Sequence, residues 1–155
     1  MRGAHSTIEV ARLVRAPVER VWQVFTDLPA RAEVMSTVDA VEILSDGTFK
    51  VGAAWQETRT LRAGPVTEQL RVVSMERPHR CAIESHAADE DYRMEYEFTP
   101  RNGHTRMWVR FDASPQPLAN RVLAAFFGGM VARVIEGALR QDLEDLAAAS
   151  ESAAA

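Results

Sequence analysis

The sequence predicts an α+β fold. A curved antiparallel sheet of about seven strands wraps around one long C-terminal helix, and two short helices follow the first strand. Three observations carry this prediction. From Pro117 to Ala149, Leu118, Val122, Ala125, Phe126, Val131, Ile135, Leu139, Leu143 and Leu146 recur at helical spacing, with Arg121, Arg133, Arg140, Glu136 and Glu144 mostly on other faces. Such a helix is about 45 Å long at ~1.5 Å per residue, and its apolar stripe needs a large cover. The middle of the chain supplies that cover as a series of alternating segments with one apolar face each. Finally, Asn102-Gly103 is a strong two-residue hairpin signal between two such segments, because both positions tolerate positive φ.

The elements follow in order. Thr7 to Arg15 reads as the first strand, and Pro17 suits the first turn of a helix, where its missing N–H costs nothing. Val18, Val21, Trp22 and Phe25 share one face of that helix, so Trp22 and Phe25 are expected in the core. Asp27-Leu28-Pro29 breaks it, and Ala30 to Met35 forms a second short helix. Val38 to Leu44 is the second strand, closed by the turn signal Ser45-Asp46-Gly47.

Next, Trp55, Glu57, Arg59 and Leu61 share one face, as do Val66, Glu68, Leu70 and Val72. A hairpin centred on Ala63-Gly64 would set Leu61 against Val66, Arg59 against Glu68 and Glu57 against Leu70. After a turn at Pro78-His79, Cys81, Ile83, Ser85 and Ala87 are in phase, and Asp89-Glu90 turns the chain again. Tyr92, Met94, Tyr96 and Phe98 then alternate with Arg93, Glu95 and Glu97. Closing the Asn102-Gly103 turn pairs Phe98 with Met107, Tyr96 with Val109 and Met94 with Phe111. On the other face it sets Glu95 against Arg110 and Arg93 against Asp112, which are opposite charges. Ser114 to Pro117 stops the last strand, and residues 146–155 are expected to fray.

The chain of 155 residues fits one domain spanning 1–155, with no repeat or linker. A net charge of −4, spread along the chain, gives no support for a nucleic-acid partner. Cys81, the single cysteine, excludes an intrachain disulfide and reads as a small buried residue. No apolar run reaches the ~20 residues of a membrane span, and no signal-peptide pattern opens the chain, so the expected location is cytoplasmic. His5, His79, His86 and His104 have no second ligand at metal spacing, so no metal and no cofactor is expected. Phosphate-loop and nucleophile-elbow patterns are also missing.

Several segments resemble a known family. These are Arg15-Ala16-Pro17-Val18-Glu19-Arg20-Val21-Trp22 with Phe25-Thr26-Asp27, Val51-Gly52-Ala53-Ala54-Trp55-Gln56-Glu57-Thr58-Arg59, Glu76-Arg77-Pro78 and Gly128-Gly129-Met130. They are similar to the START-related helix-grip superfamily, in its bacterial polyketide cyclase/dehydrase-like branch. The resemblance covers nearly the whole chain. It implies the helix-grip fold and a hydrophobic ligand held between sheet and terminal helix, but names no substrate.

Glu57, Arg59 and Glu68 share the core-facing side with Trp55, Leu70, Tyr92 and Tyr96, and charges there need partners or water. They read either as the polar end of a ligand pocket or as the rim of a hairpin tip beyond the core. Met94, Met107 and Met130, with Phe126, lie where they line the space between sheet and helix or simply fill it. Gly128-Gly129 permits a bend or a close approach. Trp108 is outward by phase between Arg106 and Arg110, which suits a homodimer contact or a covering loop.

Three functions follow. One is binding or carriage of a small apolar or aromatic molecule. Another is polyketide cyclase/dehydrase-like catalysis, with Glu57 or Glu68 as base and Arg59, Tyr92 or Tyr96 as donor. The third is a protein-interaction module.

Overall fold

A computed structural model describes residues 6–61, 64–86, 91–113 and 118–152; the side chains of residues 6, 86 and 118–131 lie outside that description. The elements run β1 (Ser6–Val14), α1 (Val18–Phe25), α2 (Arg31–Val34), β2 (Val38–Ile43), β3 (Ala54–Leu61), β4 (Gly64–Glu76), β5 (Arg80–His86), β6 (Asp91–Arg101), β7 (His104–Ala113) and α3 (Leu118–Ser152). The strands form one curved, antiparallel, seven-stranded sheet in the order β1-β7-β6-β5-β4-β3-β2. The chain thus crosses once, from β1 to the far edge at β2, and returns by successive hairpins to pair β7 with β1. α1 and α2 make that crossing.

The β6–β7 register is the expected one: Phe98 faces Met107, Tyr96 faces Val109 and Met94 faces Phe111. Asn102 (φ 51°) and Gly103 (φ 82°) both occupy the left-handed region, as a two-residue turn of this hand requires. The β3–β4 register differs from expectation. Leu61 already pairs with Gly64, so Arg59 faces Val66, Glu57 faces Glu68 and Trp55 faces Leu70. The slide is by two residues, which keeps every side chain on its expected face while changing its partner. The pairing is centred one residue earlier than expected, because Gly64, at φ 124°, is the first residue of β4 and not part of the turn. The turns expected at Asp89-Glu90 and Ser114 to Pro117 fall outside the described residues.

The inward faces of the strands and the buried face of α3 make one core. Val72, Ile83, Phe98, Met107 and Val109 meet Val21, Trp22 and Phe25 of α1 and Leu139, Leu143 and Leu146 of α3. Trp22 and Phe25 are 2% and 1% exposed, as their shared helical face requires, and Phe25 packs 4.6 Å from the Tyr96 ring. The end of α3 is not frayed through residue 152. Ala147 and Ser150 are buried, the Ser150 hydroxyl donates to the Leu146 carbonyl at 2.7 Å, and Glu151 accepts from the Arg15 amide at 2.9 Å. Tertiary partners hold these last turns, which an alanine-rich sequence alone does not reveal. Asp145 adds a further anchor, accepting from the Ser36 amide at 2.8 Å and the Ser36 hydroxyl at 2.7 Å.

Candidate functional site

A buried ionic cluster joins α2, the turn before β2, β3 and α3. Its centre is Glu57, whose side chain is 1% exposed. One carboxylate oxygen accepts from the Arg31 Nε and from the Trp55 indole N–H at 3.1 Å. The other accepts from the Arg59 Nε at 3.0 Å. Arg59 also donates through Nη1 to Asp142 at 2.8 Å and to the Thr37 hydroxyl at 2.9 Å, and Thr37 in turn donates to Asp142 at 2.7 Å. Two guanidiniums and two carboxylates therefore alternate along one chain of hydrogen bonds, and their formal charges cancel.

The electrostatics follow from this arrangement. Burial alone would raise the Glu57 carboxyl, but the charges of Arg31 and Arg59 and the hydrogen bonds from Arg31 and Trp55 outweigh it and hold the group at about 2. At Asp142 burial wins, and its carboxyl lies above the ordinary range despite Arg59 and Thr37. Burial works against the Arg59 charge, yet Asp142 and Glu57 more than restore it. Arg31 follows the same pattern, with Glu57 as its counter-charge. Its guanidinium carbon lies 5.4 Å from the Trp55 ring centroid and 6.0 Å from that of Phe25. Its Nη1 and Nη2 groups are sealed there, without an acceptor among the described residues.

A second polar pair lies further along the same sheet face. The Tyr92 phenol of β6 donates to Glu68 of β4 across Ser85 of β5. Burial first, and the Glu68 charge second, push the phenol's ionisation well above its ordinary value, so it stays a neutral donor. Tyr96 is likewise raised by burial, and its hydroxyl meets the Met94 sulfur at 3.6 Å.

The structure sorts the residues expected at the site into two groups. Trp55, Leu70, Met94, Tyr96 and Met107 are buried parts of the packed core, and Glu57 is sealed among them. Arg59, Glu68 and Tyr92 keep access to the open side, the Arg59 side chain at 12% exposure. The expected pairing of Arg59 with Glu68 does not form; Arg59 turns to Glu57 and Asp142. Nor does Glu57 face a hydrocarbon partner, since two guanidiniums hold it. The Phe126 and Met130 side chains lie outside the described residues, as does any bend at Gly128-Gly129. Sequence reasoning missed Arg31, Thr37 and Asp142. Asp142 had a readable signal, because it falls in phase with Leu139, Leu143 and Leu146, on a face where a carboxylate needs a cation.

A curved antiparallel sheet gripping a long terminal helix, with polar groups planted on the gripping face, defines the helix-grip class of proteins. Within it, the chain belongs to the polyketide cyclase/dehydrase and lipid transport family, whose model matches residues 5–151. No curated protein matches the sequence. Among solved structures, the chain is similar to a protein of Thermus thermophilus, with TM-score 0.82 and 16% identity over 97% of this chain and 100% of that one. It is also similar to the Zhui aromatase/cyclase of Streptomyces, with TM-score 0.81 and 17% identity over 96% and 94% of the two chains. Norcoclaurine synthase of Thalictrum flavum gives TM-score 0.74 at 12% identity over 95% and 94%. Among the described residues, no helix is long and apolar enough to cross a membrane.

Proposed function

We propose that the protein binds a small apolar or aromatic molecule between the open end of the sheet's inner face and α3. The supporting observation is a gradient of burial along that face. At one end Trp55, Val72, Ile83, Phe98 and Met107 are closed off completely or nearly so. At the other, Ile8, Leu61, Val66 and Tyr92 point to the same side yet remain half-buried. Apolar side chains on a gripping face gain by being covered, at ~25 cal/mol per Å². A ligand supplies the missing cover, and Arg59, Tyr92 and Glu68 orient its polar end.

The test is titration with Nile red, a neutral apolar dye, followed by its fluorescence. Saturable binding is expected, and it should be lost in Val66→Trp, which fills the open end. A screen of aromatic and acyl compounds that leaves the melting temperature unmoved, together with no dye binding, would overturn the reading.

A cyclase/dehydrase reading has one observation in its favour, the Tyr92–Glu68 pair beside Arg59. Such chemistry needs a base and a donor to a developing enolate oxygen. Glu57 does not suit the base, since a carboxyl held at about 2 between two cations binds a proton weakly at neutral pH. The role falls to Glu68, with Arg59 as donor, since the single O–H of Tyr92 is already given to Glu68. Glu68→Gln should then abolish turnover of a poly-ketone substrate while sparing its affinity; unchanged turnover would remove Glu68 from the mechanism.

A further inference from the structure

Two arginines at a ligand site usually suggest an anionic ligand, but the bookkeeping here points the other way. Arg59 reaches the site and Arg31 stands sealed behind it, with Glu57 and Asp142 already bound to them. Each of these carboxylates is nearly sealed, at 1% and 4% side-chain exposure. A ligand carboxylate beside Arg59 would add an anion to a cluster whose two cations are already matched by Glu57 and Asp142, with Glu68 on the same face. It would lose its hydration without meeting an unmatched positive charge. An uncharged oxygen has no such cost. It needs one good donor, and Arg59 retains one: its Nη2 hydrogens have no acceptor among the described residues, while its Nε and Nη1 are engaged. Tyr92, half-buried on the same face, is a neutral phenol. The electrostatic surroundings favour dipoles over charges.

We propose that this site selects ligands whose polar end is an uncharged oxygen, such as a ketone, phenol or enol, and discriminates against carboxylates of the same shape, because both of its guanidiniums are neutralised from within the protein. The inference rests on the ligand-binding reading above and adds the chemical class of the ligand. Asp142 holds the selectivity: it lies on α3, across from the sheet, and cancels the Arg59 charge that a carboxylate would otherwise seek.

The experiment compares 2-acetylnaphthalene with 2-naphthoate, which differ in a methyl ketone against a carboxylate, by calorimetric titration at neutral pH. The wild-type protein should bind the ketone at least tenfold more tightly. Asp142→Asn, which keeps the shape and uncovers the Arg59 charge, should reduce or invert that ratio by a tenfold gain in naphthoate affinity. Equal or tighter binding of naphthoate by the wild type overturns the inference and leaves the ligand-binding reading standing. An unchanged ratio in a folded Asp142→Asn protein overturns charge cancellation as the cause. If Asp142→Asn fails to fold, the wild-type comparison decides alone. If neither naphthalene nor Nile red binds, the ligand-binding reading itself falls, and the inference with it.

Discussion

Replacing Glu57 by glutamine should be among the most damaging isosteric changes available to this fold. The side chain keeps its size, so no cavity forms, and the whole effect is electrostatic. Two arginines would lose a shared anion. Arg59 retains Asp142, but Arg31, with a 1% exposed side chain, would become an uncompensated buried cation. Breaking one partner of a buried pair costs about 3–5 kcal/mol. An independent route gives a similar size. The carboxyl is held at about 2 against an ordinary 4.5, and at ~1.4 kcal/mol per decade this favours the charged form by roughly 3 kcal/mol. The readout is urea unfolding followed by tryptophan fluorescence, since Trp22 and Trp55 are both buried and Trp55 donates to Glu57 itself. The midpoint should fall with the slope unchanged, and the melting temperature should drop by roughly 10 °C. Arg31→Met in the Glu57→Gln background should recover much of the loss, because it removes the stranded charge. A Glu57→Gln loss below about 1 kcal/mol, or a double variant no better than the sum of the singles, would refute the reasoning.

Two other outcomes follow from the same environments. The Glu57 contribution is present above pH 4.5 and lost as the pH falls toward about 2, because the native state binds that proton less well than the unfolded chain. Asp142, raised by burial, has the opposite sign. The urea midpoint should therefore fall more steeply below pH 4.5 in the wild type than in Glu57→Gln; equal slopes would assign the acid limb to other carboxylates. Cys81 is 3% exposed and burial pushes its thiol up to about 12. It should resist alkylation by iodoacetamide at pH 8 in the native protein and react on unfolding in urea, and prompt native labelling would contradict its placement.

How much of this was legible in the sequence depends on what each pattern can encode. Alternation encodes which face a residue occupies, and every inward residue of β3, β4, β6 and β7 was placed on its correct side. It does not encode the offset between strands. In β6–β7 the offset was pinned by Asn102-Gly103, whose backbone demands leave one solution. In β3–β4 the nearest glycine marked the first residue of a strand, so the inferred pairs slid by two and Arg59 was matched with the wrong acid. Arg31 was invisible for a different reason. α2 is a four-residue helix, too short for periodicity to show which side faces inward. The Arg31 amide donates to the carbonyl of Leu28, a residue 0% exposed in the preceding turn, at 3.2 Å, a non-local packing that periodicity does not show. The position of Thr37, in the turn between α2 and β2, likewise depends on the α2 geometry and leaves no local trace.

The cluster also constrains what its residues can do. A buried ion pair is poor evidence for stability, because well-packed hydrocarbon of the same volume often does as well or better. Four charges kept at the junction of two helices and one strand thus call for a purpose besides cohesion. Glu57 and Arg31 are too deeply sealed to touch a ligand, yet they fix Arg59, which is not: its Nε is tied to Glu57 and its Nη1 to Asp142 and Thr37. A long, flexible side chain is thereby restricted before any ligand arrives, so less conformational entropy remains to be lost when one binds. The sealed half of the cluster holds the open half in place. Under the proposed ligand-binding role, the core-facing charges and the half-covered apolar residues beside them would be two aspects of one site: the first would set the direction of a single donor, and the second the surface for a ligand to cover.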